Sequence, residues 1–161
     1  MATGCSPAGL YGGSWDSDSA RQSLEGMDYG LWEEILRVNT IGPFRLTVAL
    51  RPQLARGTRG LVVMMSSDLG SISANAQGQS HAYRTSKTAL NMVTKGLAID
   101  LASEGLAVVA MAPGWTRTEL GGAHATWSTE DSVANQRRVI AALGREYSGR
   151  FINLLGETVP W

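Results

Sequence analysis

Two stretches of this chain are apolar at every position: Leu61-Val-Val-Met-Met65, preceded by Gly60, and Leu106-Ala-Val-Val-Ala-Met-Ala112, ended by Pro113-Gly114. Unbroken runs of this kind are what parallel strands buried on both faces require. A shorter run, Arg150-Phe-Ile-Asn-Leu-Leu155 before Gly156, predicts a third strand. Between the runs the period changes to that of helix. Leu90, Val93, Leu97 and Leu101 recur at spacings of three, four and four within residues 83–104, and Gly105 supplies the stop. Leu31, Ile35 and Val38 predict an amphipathic helix running from a cap at Asp28 to Asn39. Pro43, without an N–H, is expected to break or kink it before a second helical stretch over 44–55. Val133, Ile140 and Leu143 share one face of a helix over 130–143. Residues 1–27, rich in glycine and serine and without periodicity, read as loop. Strands separated by helices imply an α/β fold with parallel pairing, and 161 residues suit one domain.

Composition narrows the function. With 14 basic against 14 acidic residues there is no single-sign field to grip nucleic acid. No apolar run approaches the ~20 residues of a membrane span, and the first basic residue, Arg21, comes too late for a signal peptide. The single cysteine, Cys5, and two distant histidines, His81 and His124, offer neither a disulfide framework nor a metal site. A reducing, cytoplasmic location is the expectation.

The chemistry gathers around Tyr83-Arg-Thr-Ser-Lys87, which sets a phenol and an ammonium four residues apart on one helical face. A lysine charge there is expected to lower the tyrosine pKa from ~10, as an acid/base working near neutrality needs. Ser67 follows the first buried strand at the sheet end where α/β proteins bind ligands. Asn39 lies at the helix interruption, and Pro113-Gly-Trp-Thr-Arg-Thr118 follows the second strand at the same end.

This ordered set resembles the short-chain dehydrogenase/reductase family from Tyr29 to the C-terminus, and within it the C-factor (C-signal-like) carbonyl-reductase branch. The resemblance implies the C-terminal part of a Rossmann-like doubly wound sheet, here about three strands with flanking helices. It also implies a catalytic tetrad. Asn39 would support a proton-relay water, Ser67 would orient a carbonyl, and Tyr83 would move the proton. Lys87 would tune Tyr83 and bind cofactor ribose, while Pro113, Gly114 and Thr118 would contact the nicotinamide side of NAD or NADP. The substrate would be a small carbonyl or alcohol, and Trp115 and Trp127 flank the loop that covers it in relatives.

The departures matter as much. No G-x-x-x-G-x-G run occurs, so the family's pyrophosphate-binding turn is missing. The family's Asn-Asn-Ala-Gly survives only as Ala8-Gly9 behind Ser6-Pro7. The expectation is a truncated, single partial domain whose first residues are unrelated sequence. The isolated chain would then be inactive, with a non-catalytic, C-signal-like signalling module as the alternative to an oxidoreductase. A strand at 61–65 that has lost its neighbour, with small residues Ala89, Gly96 and Ala98 on the long helix, further predicts a homo-oligomer through helices 44–55 and 83–104.

Overall fold

The computed structural model describes residues 3–5, 9–15 and 19–161. Four parallel strands lie in chain order: β1 (Thr3–Cys5), β2 (Leu61–Met65), β3 (Ala107–Ala112) and β4 (Phe151–Asn153). The α-helices whose residues are all described are α1 (Tyr29–Leu36), α2 (Gly42–Arg56), α3 (His81–Asp100) and α4 (Thr129–Ala142).

Successive side chains of a strand point to opposite faces, and both faces of this sheet are covered. Val62, Met64 and Val108 pack under Leu54 of α2 and Leu90 and Leu97 of α3. Leu61, Val63, Met65, Val109 and Met111 pack on the other side under Val139 of α4 and Leu143 just beyond it. Burial on both sides removes the alternation, which is why β2 and β3 read as continuous apolar runs.

The loop expected over 1–27 is corrected in two places. Thr3–Cys5 is a strand paired in register with Leu61–Val63, and Ser19–Gln22 forms a 3₁₀ turn. The neighbour thought lost to β2 is therefore present along three residues. A strand of three residues is too short to carry a hydrophobic period. Ser6, Pro7 and Ala8 lie outside the described residues.

Pro43 neither breaks nor interrupts the helix. Helical backbone runs from Tyr29 to Arg56, with a π-turn at Arg37–Ile41 that absorbs the proline's missing donor and ring. The wide turn carries an extra residue, so the inward position passes from Val38, 38% exposed, to Asn39, 2% exposed. A similar phase error affects α4. Ser132 and Val139 are its buried residues, Leu143 just beyond its end is buried as expected, and Val133 faces solvent.

Asp28 and Ser128 accept the backbone N–H groups of Leu31 and Asp131, capping α1 and α4. The start of α3 is different. Gly78, Gln79 and Ser80 are all left-handed, with φ of 64°, 57° and 45°, a conformation disfavoured for the last two. Tyr11 holds it from outside, its phenol bonded to Ser80 Oγ at 2.9 Å, while Arg84 Nε donates to Gln79 O at 3.1 Å.

Candidate active site

Ser67 follows the carboxyl end of β2, and α3 returns across that end to bring Tyr83 and Lys87 beneath it. Lys87 is 2% exposed, and its Nζ donates to Met65 O, the last carbonyl of β2, at 2.8 Å. The ammonium stands 5.5 Å from the centre of the Tyr83 ring. Burial lowers the Lys87 pKa to about 8, because a low-dielectric surrounding disfavours the charged form.

The same burial acts on Tyr83 in the opposite sense. Its pKa is pushed up to about 12, mainly by desolvation, with a hydrogen bond from Ser67 pulling partly against this and Tyr11 adding to it. The expected lowering by Lys87 is thus corrected. The ammonium lies against the ring and is bonded to a strand carbonyl, and the phenol is sealed under the edge-on ring of Tyr11 at 5.3 Å. At neutral pH the pair is a neutral phenol beside a largely charged ammonium.

Two serines end β2, and their partners separate them. Ser66, 2% exposed, donates to Asn91 Oδ1 at 2.6 Å and is locked into the fold. Ser67 is half-buried, accepts from Leu69 N at 3.2 Å and faces Tyr83.

Asn39 is occupied as a strap. Its Oδ1 accepts from Leu10 N at 2.6 Å, and its Nδ2 donates to Leu10 O at 2.8 Å and to Ser86 Oγ at 3.0 Å. Both N–H donors are spent on protein, so the amide ties the segment after β1 to α3. Gly9 fits between: a Cβ there would meet Asn39 Oδ1, Asn39 Cγ (2.7 Å) and Lys87 Nζ (2.8 Å). Gly9→Ala is expected to cost about 1–3 kcal/mol of stability through overpacking against two buried groups. Urea denaturation measures it, and a midpoint equal to the parent's would contradict this contact.

Two residues escaped the sequence reading. Gln22 is wholly buried; its Oε1 accepts from Tyr83 N at 2.7 Å and its Nε2 donates to Tyr11 O at 2.8 Å. It therefore supplies, from 61 positions away, a partner for a free N–H at the start of α3. Tyr11 is 1% exposed and touches both Tyr83 and Trp15. Neither belongs to a periodic segment, and the only sequence signal was a large aromatic within a polar stretch.

Pro113 and Gly114 follow β3 beside this cluster. Ser132 Oγ donates to Pro113 O at 2.9 Å, and Gly114 adopts a φ of 75° where a Cβ would strike Trp127 at 2.8 Å. Thr118 is exposed and turned into its own loop, accepting from Gly121 N at 3.1 Å. Trp115 Nε1 donates to Gly121 O at 2.7 Å, and Leu120 O accepts from Trp15 N at 3.0 Å, so the loop over 116–127 leans on the Tyr11–Trp15 segment.

A parallel sheet covered on both faces, with a Ser–Tyr–Lys cluster at the carboxyl ends of its strands, defines a protein of the Rossmann-like α/β class. The chain belongs to the short-chain dehydrogenase/reductase family: residues 8–129 match the family described as short chain dehydrogenase. It lies on the C-signal-like branch, being 41% identical over 139 residues to C-signal of Myxococcus xanthus, across 86% of this chain and 84% of that protein. It is 34% identical to 1-hydroxy-2-glutathionyl-2-methyl-3-butene dehydrogenase of Rhodococcus sp., across 84% of this chain and 61% of that one. Among solved structures it is similar to carbonyl reductase Sniffer of D. melanogaster, with a TM-score of 0.91, 31% identity, and coverage of 99% of this chain and 66% of that one. The NADPH-bound carbonyl reductase from chicken fatty liver gives 0.86 at 27% identity, covering 98% and 64%. The chain spans just under two thirds of the length of these last three proteins.

Of the residues expected at NAD(P), Lys87 has donors that could hold the cofactor's ribose. Lys87 keeps two protons beyond the one given to Met65, and Gly9 lets the backbone pass close to the ammonium where a Cβ would stand 2.8 Å from Nζ. Among the described residues, none of α1 to α4 starts directly behind a glycine-rich turn that follows a strand, so the pyrophosphate side has no counterpart. Among the described residues there is also no cluster of three metal-ligating side chains, and no helix is long and apolar enough to cross a membrane.

Proposed function

We propose that this chain is the proton-transfer half of an NAD(P)-dependent carbonyl reductase, acting on a small carbonyl compound. The observation that carries it is the placing of Tyr83 beside Lys87 at the carboxyl end of β2. Tyr83 holds its proton at neutral pH and would give it up to an oxygen that is becoming an alkoxide. A bound nicotinamide would supply the hydride. Ser67, which faces Tyr83, would hold the same carbonyl oxygen. Lys87 would bind ribose and stabilise charge developing on the phenol. Asn39 and Gln22 are positioning residues, tying Leu10, Tyr11 and the start of α3 into one unit. Convergence of these groups on one sheet end favours catalysis over a purely non-catalytic signalling module.

The test is reconstitution. The chain extended at its amino end with the glycine-rich nucleotide-binding unit of a carbonyl-reductase relative should oxidise NADPH when given a carbonyl substrate. Inactivity of a folded, NADPH-binding extended chain across a broad carbonyl panel would overturn the proposal. The chain of 161 residues by itself should bind NADPH no more tightly than reduced nicotinamide mononucleotide, since it offers donors to that half alone. Calorimetry decides this, and micromolar NADPH affinity would contradict it.

A homo-oligomer is part of the same reading. Phe44, Leu46 and Val48 on α2 and Met92 on α3 are exposed, and Gly96 opens onto free space. Of the small residues expected at this contact, Ala98 is instead in the core beneath α3. Light scattering should give a mass of at least two chains, and a monodisperse monomer at tens of micromolar would refute the oligomer.

A further inference from the structure

At the opposite end of the sheet, a cleft of about 280 Å³ opens where the chain enters β3 and β4. Gly105 and Leu106 precede β3, and Ser148 and Gly149 precede the start of β4. At ~3.3 Å per residue the six-residue β3 puts some 20 Å between this cleft and Tyr83. Among the described residues, the charged ones lining it are Lys95 and Arg145, both cationic and both exposed.

Two left-handed glycines carry the backbone close to these cations. Gly105 has a φ of 73°, and a Cβ there would stand 2.7 Å from Arg145 Nη2. Gly149 has a φ of 74°, and its Cβ would stand 3.2 Å from Lys95 Nζ. Glycine at each position admits both the left-handed turn and the neighbouring cation. Lys95 Nζ donates to Gly149 O at 3.5 Å, neither cation joins an ion pair among the described residues, and Glu104, beside Gly105 in sequence, is taken by Arg51. Ser148 Oγ accepts from Val108 N at 3.1 Å, which leaves its own proton free to donate. The rest of the lining, including Ala98, Ile99 and Leu106, is apolar.

We infer that this cleft binds a small organic phosphate monoester, its phosphoryl group held by Lys95, Arg145 and the Ser148 hydroxyl and its short apolar tail lying on Ile99 and Leu106. Two positive charges match the −1.5 to −2 of a phosphomonoester at neutral pH, and paired cations with a hydroxyl donor give charge-assisted bonds to its oxygens. The site is independent of the reductase reading, since it uses none of the residues at the carboxyl ends of the strands.

The test is a titration of the isotope-labelled chain with n-butyl phosphate, followed by backbone amide NMR. Signals of Lys95, Gly105, Ser148 and Gly149 should shift and saturate at low millimolar concentration, while those of Ser67 and Gly114 stay still. Lys95→Gln and Arg145→Gln should each weaken binding at least tenfold with the remaining spectrum unchanged. n-Butanol should not bind, and inorganic phosphate should bind several-fold more weakly. Absence of saturation up to about 10 mM, where only the weakest small-ligand binding remains, would overturn the inference. So would equal affinity in both variants, equal shifts from sodium chloride at matched ionic strength, or equal affinity for inorganic phosphate.

Discussion

In the chain extended with a nucleotide-binding unit, Tyr83→Phe lowers kcat for carbonyl reduction by about 10³-fold, within the usual range for removing a general acid. The ring keeps its edge-on packing against Tyr11, so NADPH affinity stays close to the parent value. Loss in kcat with KM nearly unchanged is the signature of an interaction made only in the transition state. Lys87→Met behaves differently, because one ammonium would serve both cofactor ribose and phenol, and it weakens NADPH binding together with turnover. Steady-state kinetics and cofactor titration on both variants separate these effects. Tyr83→Phe retaining most of kcat would remove Tyr83 from the proton-transfer role.

Stability depends on pH through the same two residues with opposite signs. Lys87 titrates near 8 in the folded chain against 10.5 ordinarily. Across that window the unfolded chain binds more protons, so stability rises with pH, by about 3 kcal/mol in all. Tyr83 titrates near 12 against 10.0. There the folded chain holds the extra proton, and stability falls by about 3 kcal/mol as pH climbs through the window. Urea midpoints should rise above pH 8, peak near pH 10 and then decline. Lys87→Met flattens the rising limb and Tyr83→Phe the falling one. The chain's only other lysine, Lys95, is exposed, which keeps the lower window clear of competing lysines. A decline from pH 8 to pH 10 in the parent chain would contradict the buried state of Lys87.

The sheet interior and the long helix were legible because repeated positions report on burial. β2 and β3 are apolar throughout, and Leu90, Leu97 and Leu101 stack at helical spacing onto Val62 and Val108. Asn39, Ser67, Tyr83 and Lys87 were legible as a family pattern. Their electrostatics were not, because a pKa depends on what closes over a group. Tyr11 and Gln22, which close over Tyr83, come from a stretch with no period to read. The π-turn was half legible: Pro43 marked the place, but geometry alone decides whether a helix breaks there or takes in one more residue. Val38 and Asn39 changed places as a result.

The ladder between β1 and β2 also bears on how the chain reaches this state. Thr3 and Leu61, register partners, stand 58 positions apart, and every other ladder here likewise spans a long crossover. Contacts so distant in sequence compensate for loop closure only once they form, which makes acquisition of the native topology slow. β1 contributes three residues and docks on a sheet whose remaining ladders can assemble without it. Until it arrives, β2 presents an apolar edge of unpaired backbone groups to any other nascent molecule. Recovery of native protein from denaturant therefore falls as concentration rises, with the amino-terminal strand serving as the chain's guard against its own copies.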